Sequence, residues 1–501
     1  MRLTWRSGAI AVMLFGGLWF SPALRASPDA VPEVRLQLAD LLFDEARYEE
    51  AAAVYEAVRD ASSGPLRVRA GEGLVKSLLR TAEFRRAGEE ARALVEASPA
   101  NATALALHGD ALWAGGFFDE AEARYREAAT RAPGNARARN GLAKALAARN
   151  LLDDALAEAR AAVAAAPREG EFHHTLGYVL ERLRRYEEAA ASMTSYLNLL
   201  PNKDRSERAL WTAQQVRFLR SFGSRVPYDM GDGGDRLHTV PFRLVRDKII
   251  VEGRVNGGRS MEFVLDTGSE LTVLSQRTAA RAGVAPIVYT LSAGVGQVGL
   301  RGLQVGRIDL LEIGSLKVRN VPALIKNPPL RGLPTREAEG FSPLALGLSM
   351  QIDYRRRVLT MGRELPPEAY GVELPLRHHR LALVRGLINR QRPVHFVVDT
   401  GGEVISLSRA TTEALGMQPV RRIALRVYGT SGWDPEAFLL TGVDLAFDAI
   451  RMPNQPVVVL DLAAPSVLLG FEIGGIVGHK FLSKYRVGID LRRSVVGLSE
   501  G

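Results

Sequence analysis

The chain has no cysteine among its 501 residues. That excludes disulfides, thiolate metal sites, a cysteine nucleophile and a lipid anchor on cysteine. Aromatic residues are few, at 7%, and no basic run is interleaved with them. A nucleic-acid surface is therefore not indicated. Long apolar runs are also missing. The run Gly8 to Phe20 has 13 residues, short of the roughly 20 needed to span a bilayer as a helix. Arg2 and Arg6 precede it, Pro22 breaks it, and Ala23-Leu24-Arg25-Ala26 offers a small residue for cleavage. Residues 1–26 thus read as a secretory signal peptide, with an uncleaved anchor as the alternative. The expectation is an exported protein in a periplasm, or else a secreted one, with no stable membrane span after cleavage.

What is present fits a multidomain globular protein. Apolar residues make up 47% of the chain, which separates it from disordered sequences. Its length is too great for one core and suggests about two to four domains. The net charge of +9 is unevenly spread. Residues 28–220 hold 27 Lys/Arg against 29 Asp/Glu, and residues 221–501 hold 35 against 27. The basic second half reads as an arginine-rich solvated surface, with attraction of acidic partners as the alternative.

The first half is periodic. Pro99, Pro133, Pro167 and Pro201 stand 34 residues apart, as do Ala87, Ala121, Ala155 and Ala189. Gly109, Ala143 and Gly177 add a third register of small residues. Small residues let paired helices approach closely, and proline ends each unit. With Tyr125 and Ala128 following Ala121, the pattern resembles the tetratricopeptide repeat. An earlier irregular unit holds Ala39, Tyr48, Ala51 and Tyr55. About five units between residues 32 and 202, then a terminal helix within Asp204 to Phe222, give an α-helical solenoid over residues 32–222. The resemblance implies a concave face for a peptide or protein partner. A spacer or oligomerisation arm is the alternative.

The second half is a duplication. Phe263-Val264-Leu265-Asp266-Thr267-Gly268-Ser269 and Phe396-Val397-Val398-Asp399-Thr400-Gly401-Gly402 lie 133 residues apart. The same offset carries Gly253 to Gly386, Asn256 to Asn389, Gly283 to Gly416 and Gly296 to Gly429. Each copy reads as a strand, a turn at Asn256 or Asn389, a returning strand that ends on the aspartate, and a short helix closed by glycine. These residues resemble the retropepsin-like aspartyl proteases, in the bacterial form with two lobes on one chain. The resemblance implies a mostly β, two-lobed, pepsin/retropepsin-like fold. After a linker at 223–237, lobe one spans 238–370 and lobe two 371–501. The family's glycine-terminated apolar stretch is clear in lobe two at Gly475-Ile476-Val477-Gly478. Lobe one has only a loose version at Gly340-Phe341-Ser342-Pro343-Leu344.

The resemblance also implies a chemistry. Two carboxylates held close together share one proton. The ionised one acts as general base on water, and the protonated one as acid toward the scissile carbonyl. Asp266 and Asp399 are the candidate pair. Gly268 and Gly401 let backbone amides reach the carboxylates, and the family brace would come from Thr267 and Thr400. Ser269 is placed to hydrogen-bond Asp266, whereas Gly402 has no such group. Val295, Gly296, Tyr428 and Gly429 fall at the expected flap tips. The implied activity is aspartic-type endopeptidase, acting on a peptide or protein substrate without metal or organic cofactor. Two alternatives stand: a catalytically silent peptide-binding scaffold, and a half-used site that pairs with a second chain.

Three further patterns carry less. Gly294-x-Gly296-x-x-Gly299 spells a dinucleotide fingerprint, but Leu303 to Leu310 behind it reads as a strand where that motif needs a helix. Asp229, Asp232 and Asp235 lack the EF-hand spacing and its closing glutamate. The histidines His173-His174, His378-His379, His395 and His479 lack metal-ligand spacing.

Overall fold

The computed structural model describes residues 32–204, 206–295, 300–326, 339–417, 423–425, 427–429 and 432–500. The signal segment lies outside them. Among the described residues the first half forms five helix pairs: α1 (Pro32–Asp44) with α2 (Tyr48–Ala61), α3 (Gly64–Arg80) with α4 (Phe84–Ala97), α5 (Ala102–Ala114) with α6 (Phe118–Arg131), α7 (Ala136–Ala148) with α8 (Leu152–Ala165), and α9 (Gly170–Arg182) with α10 (Tyr186–Leu199). A single helix, α11 (Glu207–Arg220), packs on the last pair.

The 34-residue period has a steric cause. Ala87, Ala121, Ala155 and Ala189 are fully buried at the helix crossings. A Cβ on Gly109 would stand 2.6 Å from the Tyr125 ring, and one on Gly73 would stand 2.3 Å from Tyr55. The tyrosine hydroxyls reach back across each pair, Tyr55 to Asp40 at 2.7 Å and Tyr125 to Asp110 at 2.8 Å. Asn101 and Asn135, again 34 apart, cap α5 and α7 by accepting backbone N–H groups of the first turn.

The second half is β-rich. An eight-stranded sheet belongs to lobe one, and lobe two's strands extend into a thirteen-stranded sheet. That larger sheet joins the lobes. Ser349–Asp353 of the first lobe pairs antiparallel with Tyr485–Asp490 near the C-terminus, with Ile352 opposite Val487. Lobe two therefore completes a sheet that lobe one begins. The 133-residue offset also has local causes. Asn256 and Asn389 adopt left-handed φ of 51° and 49°. Their side-chain oxygens accept from Leu310 N–H at 3.0 Å and Asp444 N–H at 2.9 Å. Gly253 and Gly386 leave room for the rings of Phe263 and Phe396, which a Cβ would approach to 3.0 and 2.7 Å.

Solenoid and lobes are packed together. Phe118 stacks edge-on to Phe471 at 5.1 Å, and Trp113 to His379 at 5.2 Å. Arg377 of lobe two bonds Asp119 at the start of α6, and Arg385 pairs with Glu120 at 2.8 Å. Arg184 donates to the carbonyls of Tyr228 and Leu346. The stretch between the two halves is itself held in place, with Tyr228 and Met230 buried.

Candidate active site

Strand Met261–Leu265 and strand Arg392–Val398 each deliver an aspartate to a tight turn. A second strand fixes the place of each turn. Glu339–Phe341 runs parallel to the first and Gly475–Val477 parallel to the second. The Asp266 amide donates to Phe341 O at 2.9 Å and the Asp399 amide to Val477 O at 3.0 Å. The loose stretch of lobe one thus occupies the same structural position as the clear one of lobe two.

The two turns are cross-braced. The Thr267 hydroxyl donates to Val398 O at 2.6 Å, and the Thr400 hydroxyl donates to Leu265 O at 2.8 Å. Each hydroxyl also accepts the other threonine's amide, at 3.0 and 3.2 Å. Both threonines are buried. The Gly268 and Gly401 amides donate to Asp266 Oδ1 and Asp399 Oδ1, at 3.1 and 2.8 Å. A Cβ on Gly268 would lie 2.6 Å from Asp399 Cγ, and one on Gly401 2.7 Å from Asp266 Oδ1. Each turn therefore touches the other lobe's carboxyl group, and only glycine fits there. Ser269 departs from expectation. Its hydroxyl donates to Leu271 O at 2.9 Å instead of to Asp266, because the turn carries that carbonyl within its reach.

Both carboxyls lie deep in the protein while keeping some surface open to a cavity. Burial, then the neighbouring Asp399, pushes Asp266 up to about 7. Burial also raises Asp399, with the Gly402 and Gly401 amides and Lys248 working the other way. Each carboxyl acts on the other's titration, so a proton taken up there belongs to the pair. Two lysines moderate the site. Lys248 bonds the Gly401 carbonyl, and Lys326 favours ionisation of Asp266. Behind the first turn, buried Glu339 accepts from Ser275 N–H at 2.6 Å and from the hydroxyls of Ser275 and Thr278. In lobe two, the Gly474 carbonyl takes the equivalent amide, Ser408 N–H. Neither lysine nor Glu339 stands in a local motif, so none was marked by the sequence pattern.

Of the candidate flap residues, Val295 lines the cavity. Gly296 lies outside the described residues. Tyr428 and Gly429 are on a two-stranded hairpin, Tyr428 opposite Trp433 and Gly429 opposite Gly432. The cavity has a volume of about 1960 Å³ and holds Asp266 and Asp399 in its wall. Its other wall is the solenoid, through residues of α3, α5, α7, α9 and α11. Arg380 of lobe two crosses beside the first turn and pairs with Glu270 at 2.6 Å. Burial holds His379 down to about 3 and His395 to about 4, so both remain neutral.

Comparison with known proteins follows the same division. The aspartyl protease family model matches residues 251–349, and the gag-polyprotein putative aspartyl protease model matches 384–473. The tetratricopeptide repeat model matches 36–102, 106–169 and 152–204. No curated protein matches the chain. Among solved structures, a thermophilic TPR protein of Thermus thermophilus is 19% identical, covering 37% of this chain and 99% of its own, with a TM-score of 0.32. YrrB, described as a TPR protein with an unusual peptide-binding site, is 18% identical over 34% of this chain and 86% of its own, with a TM-score of 0.23. MamA from Desulfovibrio magneticus is 18% identical over 34% and 94%, with a TM-score of 0.25.

Proposed function

We propose that this chain, which joins a tetratricopeptide-repeat region to an aspartyl-protease-family domain, is an exported aspartic endopeptidase whose working groups are Asp266 and Asp399. The observation that carries this reading is the pair of cross-braced turns, which puts each lobe's glycine against the other lobe's carboxyl group. Both partners come from one chain, so a second copy is not needed. The raised carboxyls favour one shared proton near neutral pH and below.

The reaction then needs no covalent intermediate. The ionised carboxylate takes a proton from water as its oxygen attacks the peptide carbonyl carbon. The protonated carboxyl hydrogen-bonds the carbonyl oxygen and stabilises the charge that develops there. Collapse of the tetrahedral species breaks the C–N bond as the nitrogen takes a proton from the pair. The products are a carboxylic acid and an amine, and the pair regains its single proton. The solenoid serves this chemistry by presenting a peptide or partner to the cleft. Export, most simply to the periplasm, rests on the N-terminal segment and is tested by fractionating cells.

The chemical test is cleavage of a mixed-sequence peptide library from acid to neutral pH by wild type, Asp266→Asn and Asp399→Asn. Activity lost in both variants of a monomeric enzyme is the expected result. Activity surviving either substitution would refute a two-aspartate mechanism. An inert wild type that still binds peptides would favour the silent scaffold.

A further inference from the structure

The solenoid's inner face and the aspartate pair line one cavity. Its walls are fixed to each other. Phe118 and Trp113 are locked against Phe471 and His379, and Arg182 donates to His378 O at 3.0 Å. A folded partner large enough to fill the inner face would have to displace the protease lobes. An extended peptide need not.

Most charges on that inner face are already committed. Arg80 pairs with Glu171 at 2.8 Å and Arg137 with Asp110 at 2.7 Å. Lys144 approaches Asp110 at 3.7 Å, and Arg137 approaches Glu171 at 4.0 Å. Two acids thus serve three cations. Lys76 stands one turn before Arg80, on the same face of α3. It lines the same cavity and is half-buried. Among the described residues no acid lies within ion-pair distance of it. Glu72, Glu169 and Asp40 act on it only from farther away, while Arg137 repels it. Burial and that repulsion hold its ammonium below the usual lysine range. A desolvated cation without a counter-ion is costly, and a ligand carboxylate would remove the cost.

We propose that the inner face of the solenoid is a continuation of the substrate cleft, and that Lys76 there binds a carboxylate of an extended peptide. The array then gives the enzyme a preference for acidic substrates instead of holding an independent protein partner. This rests on the peptide-hydrolysis reading of the aspartate pair. The carboxylate is either an Asp/Glu side chain or the peptide's own C-terminus, since both offer the same acceptor.

The test uses the full chain carrying Asp399→Asn and fluorescein-labelled unstructured peptides. These are a Glu-containing peptide, its Gln analogue, and C-terminally amidated forms of both. Lys76→Met, Lys76→Glu and Lys76→Arg are added on that background, with circular dichroism confirming that each folds. One charge-assisted hydrogen bond predicts about a tenfold tighter Kd for the carboxylate-bearing peptide. That advantage should collapse in Lys76→Met, reverse in favour of the amidated Gln peptide in Lys76→Glu, and persist in Lys76→Arg. Sensitivity to Glu→Gln assigns the side chain, and sensitivity to amidation assigns the terminus. Equal binding of all four peptides, or a preference that survives Lys76→Met, overturns the proposal. Lys76-dependent binding by a wild type that cleaves nothing would remove the hydrolysis reading alone. Cleavage by wild type with no Lys76-dependent preference would remove this proposal alone.

Discussion

Thr400→Val isolates the brace between the turns, because valine keeps the shape of threonine and removes only the hydroxyl. Two hydrogen bonds go: the donation to Leu265 O and the acceptance of Thr267 N–H. Thr400 is fully buried, so water does not replace them. Each unsatisfied buried group costs about 1–3 kcal/mol, giving a local loss of about 2–4 kcal/mol across the lobe interface once partial relaxation is allowed. The other half of the brace, from Thr267 to Val398 O and Thr400 N–H, remains. The protein should therefore fold with a loosened turn. A shift of about 1 Å in a reacting group costs on the order of 100-fold in rate, so kcat should fall by about that factor with a smaller change in KM. A chain with several domains does not offer one unfolding free energy. The stability arm is therefore amide hydrogen exchange, where the Thr267 amide should lose protection and amides of α5 and α7 should not. Unchanged exchange at Thr267 together with unchanged kcat would refute the view that the threonines hold the carboxyls in place.

The raised carboxyls give a stability prediction of definite sign. From the ordinary carboxylate range near about 4 up to about 7, the folded Asp266/Asp399 pair keeps a proton that the unfolded chain releases. Wild type must therefore lose stability as pH rises through that window. Asp266→Asn, which cannot ionise, should lose amide protection at the two turns less steeply than wild type as pH rises from about 4 to about 7; parallel protection curves would contradict the assignment. At the solenoid–protease contact, Arg377→Ala leaves Asp119, among the described residues, with Arg385 alone as an ion-pair partner, at 3.9 Å. The Arg377 side chain is 13% exposed, so the expected cost is about 1–3 kcal/mol at the contact. Limited proteolysis should find the α5–α6 turn more accessible in the variant, and an unchanged digestion pattern would show that the contact does not hold the solenoid.

The sequence revealed what repeats. Period 34 was legible because close helix crossings tolerate only small residues, as at Ala87, Gly109 and Ala121. The 133 offset was legible because a left-handed hairpin asparagine and a glycine facing a phenylalanine ring are both hard to replace. The two turns and their threonines followed from that offset. Interactions made once were not legible. Lys248 reaches Gly401 across 153 positions, and Glu339 reaches Ser275 across 64. Ser269 could be placed at the turn, but its acceptor depended on where Leu271 put its carbonyl. The arginine excess of the second half read as solvated surface. Arg377 is instead drawn into contact with Asp119 of α6, where the solenoid covers the lobe, and Arg380 pairs with Glu270 of the other lobe.

That cover breaks the symmetry of the duplication. The lobes are equivalent at the aspartates, yet the solenoid treats them differently. Its α5–α6 turn joins a lobe-two core that includes Leu383, Leu460, Phe471 and Ile473 together with Trp113, Phe118 and Tyr125. Its α11 leans on the strand Pro286–Ala293 of lobe one, which also touches the helix Ala463–Leu469 of lobe two. Phe471 is fully buried, and much of what buries it comes from α5 and α6. Removing residues 32–222 would therefore expose apolar core surface as well as one wall of the cavity, and association or instability is the physical consequence. The repeats are thus packed into the folded unit and form one wall of the cavity that holds the two aspartates.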